Sequence, residues 1–361
     1  MPKSSRPPGR SRKVTLRDVA DTAGVSISTA SLVFSGRGPV AAATADKVRT
    51  AAQSLGYAGP DPLASSLRQG RSGTVAVIVE DRLLHAFRDP FALTVLDGLA
   101  QELDAMGQSM LLIADPGGEE QANPLAGHAL DAAVFPLCGR TDSPFVEHLL
   151  ARDIPMVGAG SPRDDRVSHV LVDERGASRA ATEHLLDLGH TRVAHVLMPL
   201  GPRHSTRAVA PGDATVELER AAYPDARDRT LGFLDAAPDG RLVETAEADV
   251  AEGERAGRLL LDVPPGQRPT GIVAQSDLLA AGVIRAAEAL RLDVPDDVSV
   301  VGFDGVELPW LDHRLTTIVQ PGEPKGRLLG QLARDALAGE PTRDVPLEVT
   351  LRVGSTTAPP P

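Results

Sequence analysis

The chain has 361 residues, 42% of them hydrophobic, with 37 lysines and arginines against 49 aspartates and glutamates, a formal net charge of −12 at pH 7. This length exceeds one ordinary domain and allows sizeable buried cores. The single cysteine, Cys138, excludes an intrachain disulfide and is typical of a reducing compartment. No apolar run is long enough to cross a membrane, and no apolar signal segment follows the basic N-terminus. The sequence therefore predicts a protein of the bacterial cytoplasm with no membrane partner.

Positive charge is concentrated at the N-terminus. Residues 1–72 contain 11 basic and 4 acidic side chains, a net charge of +7, which leaves −19 on the remainder. Residues 1–13 carry five basic side chains and no acid, and this predicts a disordered arm that neutralises phosphates. Because the acidic remainder would be repelled by DNA, we expect only the N-terminal segment to bind it.

Residues 16–33 predict two short helices around a glycine turn. In the first helix, apolar residues recur at helical spacing from Leu16 through Val19 to Ala23. Thr15 is placed to cap the N-terminus of this helix, and Gly24 ends it. Such a pair can be ordinary core packing or a DNA-binding helix-turn-helix. The neighbouring basic arm, and a third apolar helix around residues 48–55, favour the second interpretation.

The second helix of this pair has an open face. Ser26 can cap its N-terminus. The inward positions are Ala30, Val33 and Phe34. The residues left on the open face are Ile27, Ser28, Ser31 and Leu32. After the third helix, prolines and glycines interrupt residues 56–62, and Pro62 opens a short helix that ends at Arg68 and is marginal on its own.

These strings together resemble the lactose-repressor (LacI/GalR) family of bacterial transcription regulators. The match covers Val14–Phe34, the Leu55-Gly56-Tyr57 turn and the linker from Pro62 to Arg68. The resemblance implies that the linker becomes a hinge helix on operator DNA, where Leu67 inserts between base pairs of the minor groove and bends the duplex. The open face and the resemblance together give these DNA-contacting residues: Thr15, Ser26, Ile27, Ser28, Thr29, Ser31, Leu32, Ser35, Thr44, Tyr57, Ala64 and Leu67.

Two positions of the head depart from the family pattern. Leu32 occupies a position where the family most often has an arginine, which can form a bidentate contact with guanine. Ala41 stands where a helix-capping serine is usual. With Ile27 and Leu32 facing the groove, we expect recognition to depend on thymine methyl groups and DNA shape.

From Thr74 onward, short apolar runs alternate with helical stretches. The predicted strands are 75–79, 110–113, 132–137, 155–157, 193–197, 271–274 and 298–303. The predicted helices are 91–106, 145–152, 177–188, 254–261 and 278–290. Continuous apolar strands between helices are typical of parallel sheets that are covered on both faces.

The resemblance extends through this body. Its most specific string runs from Val294 to Asp304. It implies an α/β body of two lobes, like a periplasmic binding protein, joined by three crossovers with the effector between them. The predicted organisation is a basic arm at 1–13, a helix-turn-helix domain at 14–58, a linker with the hinge helix at 59–72, the two-lobed effector-binding and dimerisation domain at 73–357 and a tail at 358–361.

Candidate effector-binding residues follow the carboxyl ends of predicted strands, where loops of such a fold converge. They are Phe91, Ala92, Ser161, Ser276, Asp277 and Asp304. Arg229 matches the arginine through which the family contacts effector. A guanidinium with a buried carboxylate suits the hydroxyls of a sugar or nucleoside, or a carboxylate. The alternative is that these residues are loop caps or surface ion pairs.

The body departs from the family pattern at three places near the expected effector site. The connection at 81–89 is longer than usual, and residues 198–228 hold a proline- and glycine-rich insertion that is placed to cover the cleft. Glu174 replaces an asparagine that is common in the family.

Enzyme motifs are absent from the sequence. There is no phosphate-binding Gly-x-x-x-x-Gly-Lys motif and no complete dinucleotide fingerprint. His184, His190 and His195 fall on a helix, at its end and on the next strand, so we expect neither a metal site nor a cofactor. His190 is expected to be a helix-terminal cation. The sequence predicts a homodimeric repressor controlled by a small-molecule effector and bound to pseudo-palindromic operator DNA. The alternative is a small-molecule sensor that acts through a protein partner.

Overall fold

The computed structural model describes residues 14–35, 38–59, 70–80, 83–115, 124–201, 205–210 and 213–361. The chain divides into two units, residues 1–72 and 73–361. The basic arm and the hinge residues Ala64 and Leu67 lie outside the described residues, so their roles stay predictions. Over the described ranges, no helix combines the length and the apolar character that a bilayer span needs.

The described part of the N-terminal unit contains the three predicted helices α1 (Leu16–Ala23), α2 (Ile27–Ser35) and α3 (Ala42–Leu55). Thr15 and Asp18 form a capping box at the start of α1, and Gly24 ends the helix with a φ of 68°. The Ser26 hydroxyl accepts a hydrogen bond from the Thr29 backbone N–H at 3.1 Å, which caps α2. Ala41 provides no side-chain cap for α3. The buried core consists of Val19, Ala20, Ala30, Val48, Ala51 and Ala52.

The body alternates strands and helices. Its strands are β1 (Thr74–Glu80), β2 (Ser109–Asp115), β3 (Ala132–Phe135), β4 (Met156–Gly158), β5 (Val167–Leu171), β6 (Val193–Leu197), β7 (Arg207–Val209), β8 (Arg241–Glu244), β9 (Gly271–Ala274), β10 (Ser299–Asp304), β11 (Thr316–Val319), β12 (Asp344–Pro346) and β13 (Thr350–Arg352). Its helices are α4 (Leu83–Ala86), α5 (Pro90–Ala105), α6 (Phe145–Leu150), α7 (Glu174–Asp187), α8 (Ala214–Glu219), α9 (Pro224–Ala236), α10 (Val250–Leu261), α11 (Asp277–Ala289) and α12 (Gly322–Leu337).

Two sheets define two lobes. The first sheet has the order β12-β5-β4-β3-β1-β2, and the second has the order β13-β11-β10-β9-β6-β8-β7. The described chain passes from one lobe to the other after β5, after β11 and after β12, which agrees with the expected three crossovers. The predicted parallel pairing holds except at two edges, where β7 pairs antiparallel with β8 and β13 pairs antiparallel with β11. An edge strand pairs on one side only, so its direction is less constrained.

Both faces of each sheet are buried. In β1, Val75, Val77 and Val79 belong to one apolar cluster, and Ala76 and Ile78 belong to the cluster on the opposite face. Alternate side chains of a strand point to opposite faces, so a strand covered on both sides must be apolar throughout. This explains why these strands were recognisable as continuous apolar runs.

The segment at 198–228, for which a covering of the cleft was predicted, forms part of the second lobe. It contributes β7 to the edge of the second sheet, in register from Arg207 opposite Glu244 to Val209 opposite Leu242. It also contains α8 and the first residues of α9. Part of the insertion is therefore an extension of the second lobe.

The C-terminal residues are packed against the second lobe. His190 Nε2 is 2.9 Å from the carbonyl oxygen of Ala358, and the Ser299 hydroxyl donates to the same oxygen at 3.0 Å. His190 is buried, and its Nδ1 is 2.9 Å from the Thr270 hydroxyl. Because burial lowers the pKa of His190, the neutral imidazole is favoured, and the expectation of a helix-terminal cation was wrong.

Candidate functional site

The outward face of α2 is the candidate DNA-binding surface. Ile27 and Leu32 are 42% and 38% exposed, which is unusual for large aliphatic side chains. Ser28 and Ser35 are exposed beside them, whereas Ala30 is fully buried against the other helices. The structure thus separates the faces of α2 as the sequence predicted. Ile27 and Leu32 are available to contact thymine methyl groups.

The remaining predicted DNA contacts surround α2. Thr15 is exposed and Ser31 and Thr44 are half-buried, so each retains accessible surface. The Ser26 hydroxyl lies 2.8 Å from the hydroxyls of Ser28 and of Thr29. The Tyr57 ring packs edge-on against Phe34, with centroids 5.4 Å apart. These hydroxyls and the tyrosine are of the types that contact phosphates without reading bases.

A cavity with about 390 Å³ of empty space is lined by both lobes of the body. The first lobe supplies Cys138, Ala159, Gly160, Ser161, Arg163, Leu171, Val172 and Lys325, and the second supplies Glu174, Pro224, Asp225 and Asp228. Cys138 follows β3, and Ser161 follows β4, so the cavity lies at the carboxyl ends of parallel strands. This is where ligands bind in open α/β sheets.

Arg229 is the cationic partner in a buried ion pair beside this cavity. Its Nε donates to Glu174 Oε2 at 2.7 Å, and its Nη1 donates to the backbone oxygen of Gln275 at 2.6 Å. The guanidinium also stacks 3.7 Å from the centroid of Phe303. Burial alone would lower the pKa of Arg229, but the carboxyl groups around it, Glu174 first, raise the pKa overall. The arginine is therefore a fixed cation whose partner Glu174 faces the cavity.

The predicted carboxylates Asp277 and Asp304 lie inside the second lobe. Asp277 is fully buried and accepts from the Thr317 hydroxyl at 2.6 Å and from the Val306 backbone N–H at 2.8 Å. Burial raises its pKa to about 7. Asp304 accepts from Gln320 Nε2 at 3.1 Å, and burial raises its pKa well above the ordinary value. Both carboxyl groups are thus more readily protonated than surface carboxylates.

Of the seven predicted effector-binding residues, Ser161 lines the cavity directly. Its hydroxyl accepts from the Gly139 backbone N–H at 2.9 Å. Ser276 caps α11 by accepting from the Leu279 N–H, so its structural role is the loop cap that the sequence left as the alternative. Phe91 and Ala92 are buried at the start of α5. Arg229 holds the cavity residue Glu174 in place, whereas Asp277 and Asp304 are not among the residues that line the cavity.

Several cavity residues were not predicted from sequence. Lys325 is 1% exposed; its Nζ lies 3.4 Å from Gln320 Oε1 and 5.5 Å from the Phe91 ring centroid. Asp225 is 8% exposed, and its Oδ1 has no hydrogen-bond partner. Asp225 precedes Arg229 by four residues, and this helical spacing places both on one face of α9, a signal that could have identified Asp225.

An ion pair joins the lobes beside the cavity. Arg163 of the first lobe donates to Asp228 Oδ2 of the second at 3.1 Å. The Thr141 backbone N–H, also in the first lobe, donates to the carbonyl oxygen of Ala222 at 2.9 Å. The two lobes are therefore in direct polar contact at the cavity.

The three histidines considered for metal binding have other partners. His195 Nδ1 is 2.9 Å from the Val273 carbonyl oxygen, its Nε2 is 3.0 Å from Gln275 Nε2, and its ring stacks on Phe233. His184 Nε2 lies 3.1 Å from the Thr357 hydroxyl. Within the described ranges, no three histidine, cysteine or acidic residues converge as metal ligands would.

Comparison with known proteins matches both units. Residues 15–59 match the family model described as bacterial regulatory proteins, lacI family, and residues 182–357 match that of a periplasmic binding protein-like domain. The chain is 33% identical over 375 aligned positions to an HTH-type transcriptional regulator of Mycolicibacterium smegmatis, covering 100% of both chains. It is 32% identical to the ribose operon repressor of Escherichia coli K12, covering 90% of this chain and 92% of that one.

Solved structures show the same architecture. A complex of the transcriptional regulator CelR with cellobiose is 28% identical, with a TM-score of 0.66 over 95% of this chain and 99% of that chain. The lac repressor dimer bound to operator is 23% identical, with a TM-score of 0.72 over 96% of this chain and 100% of that chain. The second likeness establishes a common fold. The predicted fold class, a helix-turn-helix head with a two-lobed α/β body, is confirmed.

Proposed function

Because this chain belongs to the lacI family of bacterial regulatory proteins, and the relatives described above are transcriptional regulators rather than enzymes, we propose that it is a homodimeric repressor whose operator affinity responds to a small polar effector. The observation that carries the proposal is the outward face of α2, where Ile27 and Leu32 are exposed on a helix that α1 and α3 hold in place. Two such heads would contact the two half-sites of a pseudo-palindromic operator.

Operator recognition is divided between two kinds of contact. Ile27, Ser28 and Leu32 contact base edges in the major groove, with a preference for thymine methyl groups. Thr15, Ser26, Thr29, Ser31, Ser35, Thr44 and Tyr57 contact phosphates and fix the orientation of the head. In the linker at 59–72, Ala64 lies against the minor groove and Leu67 inserts between base pairs, which the paired hinge helices of a dimer make possible.

The effector binds in the cavity between the lobes. The relatives include one solved with cellobiose and one named for the ribose operon, so a hydroxylated metabolite of about sugar size is the class we propose. Effector binding stabilises one arrangement of the lobes and thereby changes operator affinity by a coupling free energy of about 1–3 kcal/mol.

The test is binding of the purified protein to a fluorescent duplex from the promoter of its own gene, measured by anisotropy over a range of salt concentrations. We expect a specific complex whose affinity falls steeply with salt, because bound phosphates release counterions. A scrambled duplex of equal length is the control. No binding to the promoter at low salt would contradict the proposal and favour the sensor that acts through a protein partner.

A Leu32→Ser variant sharpens this test. Because Leu32 contacts bases rather than phosphates in our proposal, the variant should lose affinity for the promoter duplex and keep its weaker affinity for the scrambled one. Equal loss on both duplexes would place Leu32 outside the base-contacting surface.

A further inference from the structure

Lys325 is a buried cation with no counter-ion among the residues that the structure describes. It is 1% exposed, and no carboxylate lies within the 4 Å of an ion pair with it. Its one hydrogen bond, to the neutral amide of Gln320, is long at 3.4 Å. The face of Phe91 contributes a weak cation–π contact at 5.5 Å. Buried charges in proteins are normally paired, because an unpaired one loses its hydration without compensation.

Apart from Asp225, the other acidic groups that line the cavity are already paired with arginines. Glu174 is paired with Arg229 at 2.7 Å, and Asp228 is paired with Arg163 at 3.1 Å. Gln320 separates Lys325 from Asp304, since its Oε1 faces the lysine and its Nε2 donates to Asp304. Burial raises the pKa of Asp304, which favours its uncharged form. Lys325 is thus the cavity cation that remains available to a ligand.

Asp225 is the matching acceptor on the opposite lobe. It is 92% buried in the cavity wall, at the start of α9, and its Oδ1 has no partner. A buried oxygen without a donor is destabilising, because its lost hydration is not replaced. A hydroxyl group of a ligand would donate to this oxygen.

We propose that the effector is a hydroxylated acid: its anionic group, a carboxylate or a phosphate, binds Lys325, and one of its hydroxyls donates to Asp225. This inference rests on the proposed function, because it concerns the same cavity. A neutral sugar offers Lys325 an uncharged acceptor and leaves the ammonium charge uncompensated. A hydroxylated acid satisfies both groups and, by contacting both lobes, holds them together.

The experiment compares matched probes by calorimetry and by thermal shift: glucose, gluconate and glucose 6-phosphate, then ribose and ribose 5-phosphate, with inorganic phosphate alone as a further probe. We expect an acid to bind more tightly than the neutral sugar of the same skeleton. The two acids of glucose distinguish a carboxylate from a phosphate. Binding by none of the acids, or tighter binding of the neutral sugar, would overturn the proposal.

Lys325→Met provides the second measurement, with Arg327→Met as the matched control. Arg327 is exposed on the same helix, so the control removes an equal charge away from the cavity. Lys325→Met should weaken acid binding by about 10- to 100-fold, the value of a charged hydrogen bond. It should also raise the melting temperature without ligand, because an unpaired buried charge is removed. A lowered melting temperature with unchanged acid affinity would show a purely structural lysine.

The failure of this inference differs from the failure of the proposed function. If neutral sugars bind and change operator affinity while Lys325→Met has no effect, the proposed regulator stands and the acid specificity is wrong. If the promoter duplex is never bound, the proposed function fails whatever the cavity binds.

Discussion

Breaking the buried ion pair between Glu174 and Arg229 by removing one partner should destabilise the body. In Glu174→Gln the hydrogen bond to Arg229 Nε at 2.7 Å can persist, but the counter-charge of a 3% exposed guanidinium is lost. Removing one partner of a buried pair costs about 3–5 kcal/mol. Asp225 also lies in the electrostatic environment of Arg229 and can compensate part of that charge, so we expect about 3 kcal/mol. In a body of this size the melting temperature should fall by about 5–10 °C.

A second ion pair between the same two helices supplies the control. Arg175 of α7 and Asp235 of α9 are 2.6 Å apart, but their side chains are 54% and 32% exposed. Solvent screens such a pair, so Asp235→Asn should leave the melting temperature close to that of the wild type. Differential scanning calorimetry of both variants compares a buried with an exposed pair in one protein.

The double variant Glu174→Gln/Arg229→Met separates a buried-charge effect from lost packing. With no cation left to compensate, it should regain much of the stability that Glu174→Gln loses. The reasoning is refuted if Glu174→Gln shifts the melting temperature no more than Asp235→Asn, or if the double variant is less stable than both single variants.

Three further predictions concern the core, pH and the linker. Gly326→Ala should destabilise the first lobe by about 1–3 kcal/mol in urea titrations, because the new Cβ would overlap the Val95 carbonyl oxygen. A variant as stable as the wild type would argue against this close contact between α12 and α5. Burial lowers the pKa of His195 to about 3, so the folded protein holds this histidine neutral. Its contribution to the free energy of unfolding is therefore complete above pH 6.5 and falls by about 1.4 kcal/mol per pH unit below pH 6.5. His195→Gln should flatten the pH dependence of unfolding between pH 7 and 5, and an unchanged slope would assign it to other groups. Leu67→Ala should weaken operator binding while effector affinity persists, and equal loss of both would contradict the hinge role.

Strand positions in the body could be predicted because both faces of each sheet are buried. Runs such as Val75–Val79 and Val193–Leu197 have no alternation, and the structure places strands at Thr74–Glu80 and Val193–Leu197. Strands in which two adjacent polar residues interrupt the apolar run gave no such signal. In β5, Ser168 and His169 interrupt the apolar run, although both are buried, and this strand was not predicted. Their polar groups bond to Asp344 and to neighbouring backbone, partners that only the folded sheet provides.

Two of the helices that were not predicted, α9 and α12, show how the cavity and the helix contacts can hide a helical pattern. In α9, the buried face carries Asp225 and Arg229, so the apolar stripe that identifies an amphipathic helix is broken. In α12, Gly322 and Gly326 lower the helix propensity of the first turns. Gly326 is required because α5 packs against it at the backbone of Val95. In each case a requirement of the folded protein, the cavity for α9 and the close helix contact for α12, outweighs the local preference for helix.

The position of Lys325 shows how a broken pattern can indicate a site. Leu329, Leu332 and Ala333 form the buried stripe of α12, and Lys325 occupies the preceding position of that stripe, one turn before Leu329. A lysine there is usually explained by its long side chain reaching solvent. At 1% exposure, however, its ammonium group stays inside, so solvent does not compensate the charge. The sequence contains the anomaly, but the fold is needed to show that the ammonium group lines a cavity shared by both lobes, where a ligand can supply the missing charge.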